Sequence, residues 1–562
     1  MKNALVAKIL NRVADFLEMK EETFKVKAYR RAAHTIQLLP IDIEEYAKKR
    51  KLTELPGIGK NIAEKIEEIL KTGQLSYLEK LEKEYPIDMD SLLAIEGIGP
   101  KTIKTLYEKL KIQNLEDLEY HAKKGNLQKI KGIGEKKEKR ILQSIKFTRS
   151  TLGRKPIAYI EPIAQYIKSI LEEHPKTEKV EIAGSIRRGK ETIGDIDLLT
   201  TTQNPEKVIE HFTSLKIANE TIAKGPRKAI IRLEDGVECE LRTFKKEEFG
   251  TALLYFTGSM EFNIELRRLA QSKSMKLNEY GLYKNKKKIA SKTEKEIFKT
   301  LGLEYIQPEL RENNGEIEAA AQGKLPKLIK ENQIKGDLHI HTIWSDGTET
   351  IKDIAKAAQN LQYEYIAITD HSSSLKITGG LNKEKLQRQI KEIDKLNLKI
   401  HVFKGIEANI RLDGQLDIPD DILSDLDIVI ASIHSPARED MTERILAAIE
   451  NKHVHIIGHP TGRKLFKRDE YPLNLDIIFE EAAKTGTILE INANPIRLDL
   501  RDIYIKRAIE YGCKLAINSD AHRLTDLHNI KWGVKTARRG WATPKDIINT
   551  RNLKEIRKFL KD

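Results

Sequence analysis

GSIRRGKETIGDIDLLT (residues 184–200) is the stretch whose reading decides the fold. Asp195 and Asp197 stand two apart, so on a strand both carboxylates project from one face. Two carboxylates so placed can bridge a pair of Mg²⁺ ions that hold a nucleoside triphosphate and activate an attacking hydroxyl. Just upstream, a Gly184–Ser185 turn offers N–H groups and a hydroxyl to phosphate oxygens, with Arg187 and Arg188 adding charge. A lone Asp-x-Asp is common on surface strands; the ordered series of Gly-Ser, Arg-Arg-Gly and Gly-Asp-x-Asp is much rarer. Downstream, VECELR (237–242) supplies Glu238 and Glu240. Alternation puts these two on a common face and leaves open which of them joins the aspartates.

A second set of ligand-type residues lies further along the chain, and it is rich in histidine: DLHIHTIWSDG (337–347), TDHS (369–372), GIE (405–407), SIHS (432–435), GHP (458–460) and NSDAH (518–522). Asp337, His339 and His341 alternate with Leu338 and Ile340, so a strand here projects three polar groups together. Asp346, His371, Glu407, His434, His459, Asp520 and His522 follow singly or in pairs. A lone histidine is more often a surface or hydrogen-bonded core residue than a ligand; several converging at strand ends reverse that preference. A mixed His/Asp/Glu set suits Mn²⁺, Zn²⁺ or Fe²⁺ and hydrolysis. The apolar runs YIAIT, IHVFKGIE, LDIVIASIH, HIIGHP, TILEIN and KLAINSD alternate with helical stretches. That alternation predicts a β/α barrel with its site at one mouth.

Ahead of both sets, residues 1–150 read as helices joined by short turns. One pattern occurs three times: LPGIGK (55–60), IEGIGP (95–100) and IKGIGE (130–135). Gly57, Gly97 and Gly132 permit a tight turn, and Gly59, Gly99 and Gly134 lead into the next helix, whose first N–H groups can hold a DNA phosphate. A single such turn is an ordinary helix connector; a threefold repeat points to DNA. Between these helices and the barrel, KVEIAGSI, DIDLLTT, AIIRLE and VECELRTF are strand-like and imply a mixed sheet with helices.

At 562 residues the chain is too long for one core, and about 150 residues per domain suggests about four. The net charge of +14 is uneven: residues 331–562 hold 36 Lys+Arg against 35 Asp+Glu, leaving 63 against 50 in front. A basic front and a neutral back suggest a polyanion handled mainly by the front. Ten of the fourteen histidines lie beyond residue 330, the enrichment a metal-dependent domain would show. Cys239 and Cys513 have no zinc or redox spacing, which suits a reducing compartment. Leu5, Ile9, Val13, Phe16 and Leu17 mark one face of a first helix, with Asp15 and Glu18 among them, which argues against a signal peptide. No run reaches the ~20 apolar residues of a membrane span. A cytoplasmic protein is expected.

With YFTGS (255–259), Asn263 and Arg267 added, the chain resembles a bacterial or archaeal family X DNA polymerase, a relative of DNA polymerase beta, with a polymerase-and-histidinol-phosphatase (PHP) domain behind it. The resemblance implies a multidomain fold: all-α helix–hairpin–helix domains, an α+β nucleotidyltransferase palm and thumb, and a C-terminal β/α, distorted TIM-like barrel. The expected divisions are 1–78 (helical, lyase-like), 79–150 (helix–hairpin–helix), 151–262 (palm), 263–312 (thumb), 313–333 (linker) and 334–562 (PHP). It implies that Ser185, Arg188 and Gly194 hold the triphosphate, and that Asp195, Asp197 and Glu240 bind Mg²⁺ or Mn²⁺. Tyr255, Phe256 and Gly258 lie against the sugar, and Asn263 and Arg267 face the nascent pair and template. Nine ligands for about three Mn²⁺, Zn²⁺ or Fe ions map onto His339, His341, Asp346, His371, Glu407, His434, His459, Asp520 and His522.

The implied activities are gap filling on gapped or nicked DNA with dNTPs, 3′→5′ exonuclease, 3′-phosphoesterase and abasic-site endonuclease, by a monomer. Rival readings are a metal nuclease whose front is only a DNA clamp, and a non-catalytic repair scaffold. Three positions depart from the pattern: Glu240 where Asp is usual, Met260 where polymerase beta has Asp, and Asn61 for a Lys of the phosphate pocket. Lys65 edges the apolar stripe Ile58, Ile62, Ile66 and Ile69, ordinarily a solvated position. The resemblance aligns it with the Schiff-base lysine that removes 5′-deoxyribose phosphate, with Tyr29, Lys25 and Lys60 nearby. Asn61 removes one positive charge there, so weak lyase activity is expected.

Overall fold

Three nearly identical turns organise the helical front of the computed structural model, which describes residues 2–560 apart from 38, 40, 41, 96, 152, 374–378 and 435–439. In each, an isoleucine N–H returns to a carbonyl three residues back: Ile58 to Leu55 (3.1 Å), Ile98 to Ile95 (3.1 Å) and Ile133 to Ile130 (3.0 Å). Gly57, Gly97 and Gly132 take φ of +80°, +81° and +90°, which side-chain-bearing residues rarely adopt. The turn isoleucines are buried. Helices Lys60–Thr72, Pro100–Leu110 and Glu135–Thr151 follow. No side chain caps the first two, because Gly59 and Gly99 occupy the cap positions.

The chain divides into two compact units, residues 1–152 and nearly all of the remainder. In the first unit, helix Lys2–Met19 pairs with Thr23–Gln37 and buries Val6, Leu10, Val13, Phe16 and Leu17. Leu5 is 42% exposed, so the buried stripe runs one position over from the expected Leu5–Ile9 start. Val6 and Leu10 continue the i, i+3, i+4 spacing through Val13 and Leu17 just as well.

In the second unit, a five-stranded sheet runs Lys179–Ile182, Asp195–Thr201, Glu238–Phe244, Lys228–Leu233, Ala218–Lys224 in spatial order. Its one parallel pair sets Asp195 beside Glu238 and Asp197 beside Glu240. Helices Ile157–Glu173 and Pro205–Thr213 pack on the sheet through Ile160, Ile167, Val208 and Phe212. A three-stranded meander (Met275–Asn278, Gly281–Lys284, Lys287–Ala290) and helix Glu294–Thr300 share a core of Phe262, Leu266, Leu282, Ile297 and Phe298. Residues 313–333 connect this core to the next as packed chain: Ile317, Ala320 and Leu328 join the first, and Ile329 the second.

Seven parallel strands in chain order then form the barrel: Gly336–Ile340, Tyr365–Ile368, His401–Asn409, Ile428–Ser432, Ile456–Ile457, Ile488–Asn492 and Leu515–Asn518. A bridge between Ile340 and Ala521 brings last strand to first. Six of the seven strands are buried along their whole length, because helices cover the outside and side chains fill the inside. Among the described residues no helix is long and apolar enough to cross a membrane.

Candidate active sites

Register sets each glutamate beside an aspartate, and burial distinguishes the two that alternation could not. Glu238 is 47% exposed and paired with Arg232 (3.1 Å), whereas Glu240 is 19% exposed in the row beside Asp197. Burial pushes the Asp197 acid up to about 7, and the charges of Asp195 and Glu240 push in the same direction. Three acids that repel one another on one sheet face offer hard oxygen donors, a set that fits Mg²⁺ or Mn²⁺. Glu240 is meanwhile balanced by Arg242 and by Lys228 Nζ at 2.7 Å. Gly184 closes this site for a reason absent from the sequence reading. Its φ is +59°, and a Cβ there would lie 2.0 Å from Asp197 Oδ2, so only glycine lets the loop pass over that carboxylate.

Ser185 lies in the short helix Gly184–Arg187, and Gly194 precedes Asp195 with its Cα facing the Arg154 guanidinium. Arg188 Nε sits on Glu312 Oε1 (2.9 Å), and its Nη1 donates to the Thr257 carbonyl. Gly258 (φ +72°) ends helix Phe249–Thr257 against Arg188. The Tyr255 and Phe256 rings meet edge-on at 5.1 Å. Asn263 Nδ2 donates to the Tyr255 carbonyl (2.7 Å), Arg267 Nε donates to the Asn263 carbonyl (3.1 Å), and all three residues line one small pocket with Asn278. Met260 is 70% exposed.

At the barrel mouth Glu407 is the hub. Its Oε2 lies 2.7 Å from His371 Nδ1, 3.5 Å from His339 Nε2 and 3.6 Å from His341 Nε2. Its Oε1 lies 3.3 Å from His434 Nε2 and 3.2 Å from His459 Nε2. Asp346 reaches His522 (3.5 Å) and His371 (3.6 Å), and Asp520 reaches His341 (3.3 Å). Among the described residues three groupings have metal-ligand spacing: His341, Asp346, His371 and His522; His339, His341 and Asp520; His371, Glu407 and His434. His459 joins through Glu407, so all nine residues converge.

Buried atoms that hydrogen bonds leave unused support the same conclusion. They include His339 Nε2, both ring nitrogens of His341 and His434, and both oxygens of Glu407. Such atoms are costly to bury unless an ion takes them. Burial and the neighbours His522 and His371 push His341 down to about 3. Burial and Arg497 push His459 down to about 4. Both rings are therefore neutral lone-pair donors. Against the cost of burial, the surrounding histidines hold Glu407 well below the usual carboxylate range.

Three further residues support this cluster. Glu490 Oε1 accepts from His339 Nδ1 (2.7 Å), turning His339 Nε2 into the site; Glu490 also accepts from His459 N, Asn492 and Asn518. Its sequence signal was its place in TILEIN, an acid within an otherwise apolar strand. Arg497 Nε lies 3.3 Å from Asp520 Oδ2 with its Nη1 buried and unbonded. Asp337, expected to project with His339 and His341, lies outside the three groupings. It accepts instead from the Ser519 and His339 N–H groups (3.2 Å each), tying the first strand to the last.

In the first unit a cleft of about 540 Å³ gathers Lys25, Tyr29, Gly57, Gly59, Lys60, Asn61, Lys65 and Tyr77. Lys65 Nζ donates to Asn61 Oδ1 (2.5 Å) and lies 5.4 Å from the Tyr77 ring centroid. Burial pushes the Tyr29 phenol up to about 12. Lys25 is paired with Glu22 (2.5 Å).

Known families match in the same order along the chain. Residues 1–75 match a helix-hairpin-helix domain, 89–146 a SAM-like helix-hairpin-helix tandem, 154–242 the DNA polymerase beta palm, 252–312 the DNA polymerase beta thumb and 337–494 the PHP domain. The DNA polymerase/3′-5′ exonuclease PolX of Bacillus subtilis (strain 168) is 38% identical over 99% of both chains. Probable phosphatases of Thermoanaerobacter sp. (strain X514) and Caldanaerobacter subterraneus are 31% and 30% identical over 40% of this chain, covering 94% and 91% of their own. With palm, thumb and PHP domain in one chain and likeness to a PolX from end to end, the chain belongs to the DNA polymerase beta-like PolX family that carries a C-terminal PHP domain.

Proposed function

We propose that this chain is a DNA polymerase that fills short gaps and conditions 3′ ends with its own PHP phosphoesterase. The observation that supports the reading is the convergence of two clusters of metal-type side chains, one of carboxylates and one rich in histidine, on separate sheets of one chain. Asp195, Asp197 and Glu240 hold Mg²⁺ or Mn²⁺, which when bound lowers the pKa of the primer 3′-hydroxyl and neutralises the triphosphate. Ser185, Arg188 and Gly194 orient that triphosphate. Tyr255, Phe256 and Gly258 lie against the sugar and exclude a 2′-hydroxyl by close approach, and Asn263 and Arg267 meet the nascent pair. Gly57, Gly59, Gly97, Gly99, Gly132 and Gly134 leave helix N–H groups open to DNA phosphates. The nine barrel residues hold about three Mn²⁺, Zn²⁺ or Fe ions for 3′→5′ exonuclease, 3′-phosphoesterase and abasic-site endonuclease chemistry.

The finer reading adds a weak lyase. The Lys65 amine attacks the ring-opened sugar aldehyde of a 5′-deoxyribose phosphate, and water leaves as the Schiff base forms. The protein acts as a monomer in the cytoplasm on gapped or nicked DNA with dNTPs. The test is a gapped duplex labelled at both ends, incubated with Mg²⁺ or Mn²⁺ with and without dNTPs. Extension with dNTPs and 3′ shortening without them are expected. Shortening alone would leave the nuclease reading with the front as a DNA clamp, and neither activity would leave the scaffold reading.

A further inference from the structure

The palm loop that begins at Gly184 is gripped from outside the palm. Gly189 turns it at φ +66°, and a Cβ there would lie 3.5 Å from Cβ of Lys535 and 3.8 Å from Cδ of Arg539, both on the barrel helix Ile530–Arg539. Arg539 is 4% exposed in its side chain. Its Nη1 donates to the Arg188 carbonyl (2.9 Å) and to Glu312 Oε1 (3.0 Å), and its Nε donates to Asp502 Oδ2 (2.9 Å). That same Glu312 oxygen accepts from Arg188 Nε (2.9 Å), and Lys190 Nζ lies 3.2 Å from the other. Further along the loop, Glu191 is clasped by Arg463 Nη2 at 2.7 Å.

We propose that Arg539 of the barrel is a positioning residue for nucleotide addition, fixing the Gly184–Lys190 loop and the Arg188 guanidinium for the incoming triphosphate. The inference rests on the reading of Arg188 as a triphosphate contact. A triphosphate must draw the Arg188 guanidinium away from Glu312. Arg539, with Lys190, weakens that competing hold, because one carboxylate then serves two guanidinium groups and an ammonium. The same side chain pins the Arg188 carbonyl, so the loop keeps its shape while the guanidinium turns. Lysine cannot reproduce this role, since its compact ammonium lacks the fork that reaches the Arg188 carbonyl, Glu312 and Asp502 together.

The experiment is steady-state incorporation on gapped DNA by the full chain, with 3′-end hydrolysis and Tm measured on the same preparations. Arg539→Lys is expected to raise KM for dNTP about tenfold, with kcat and the hydrolysis rate within about twofold of wild type. Asp502→Asn, which removes the charge that anchors the far side of Arg539 and also attracts Lys190, is expected to raise KM about threefold; it carries the test if Arg539→Lys does not fold. An unchanged KM in a folded variant overturns the proposal. So does a parallel fall of both activities with Tm, which would mark Arg539 as structural only. Failure of the wild type to incorporate any nucleotide would instead overturn the polymerase reading on which this one rests.

Discussion

Asp197 sits where burial and two neighbouring acids concentrate negative charge, so its loss removes the oxygen donor flanked by both of the others. Asp197→Ala is expected to lower nucleotide addition at least about a hundredfold while 3′-end hydrolysis persists, and His339→Ala or Asp520→Ala to do the reverse. Paired rate measurements on one gapped substrate check this; synthesis by Asp197→Ala within a few-fold of wild type would sink the front-site assignment. Glu490→Gln keeps the shape but weakens the hold on the His339 ring. A loss of about 10- to 100-fold in barrel metal affinity or hydrolysis is expected, read by metal content after dialysis, with incorporation unchanged. At Lys65 the expected result is a borohydride-trapped adduct with 5′-deoxyribose-phosphate DNA, weak because Asn61 stands in the pocket and strongly reduced by Lys65→Ala. No adduct, or one indifferent to the substitution, would leave the cleft as a DNA-end grip.

Among the elements, helix Glu294–Thr300 depends on its first residue. Glu294 is 6% exposed and receives Arg311 Nη1 (2.6 Å) and Arg187 Nη2 (2.7 Å), with Arg311 itself 0% exposed. Burial would raise its acid, but the two guanidinium groups overcome this and bring it down to about 2. A carboxylate depressed in the folded state stabilises fully above its unfolded value of about 4.5, and the contribution disappears as pH falls toward 2. The amount is on the order of 3 kcal/mol. The wild type should therefore lose thermal stability steeply below about pH 4.5, as calorimetry would show. Glu294→Gln should be less stable at neutral pH, because Arg311 stays buried with less compensation, and should show a shallower acid limb. Equal acid limbs would remove Glu294 from this role. The three hairpin turns show the opposite dependence: their shape is local, and the recurring Gly-Ile-Gly was enough to read it.

For the whole molecule, charge decides how DNA binding responds to salt. Residues 1–152 form one compact unit and carry 31 Lys+Arg against 23 Asp+Glu, whereas 331–562 are nearly neutral. With about five phosphate contacts, the slope of log K against log[salt] for the full chain is expected at roughly −4 to −5. Residues 1–152 alone should retain salt-sensitive binding, and a 334–562 fragment should bind duplex far more weakly. Equal affinities in a filter or anisotropy titration would contradict this. Barrel class, the aspartate pair and the hairpin turns were legible in the sequence, because strand alternation and the glycine need of a tight turn are properties of neighbouring residues; the set of nine metal-type residues came from the family resemblance. Tertiary structure alone decided the rest. It left Glu238 exposed on Arg232 and Glu240 half-buried beside Asp197, gave His339 its buttress in Glu490, and set Arg188 on Glu312 beneath Arg539. Those pairings join residues far apart along the chain, and the backbone period of one segment carries no information about which distant side chain closes against it.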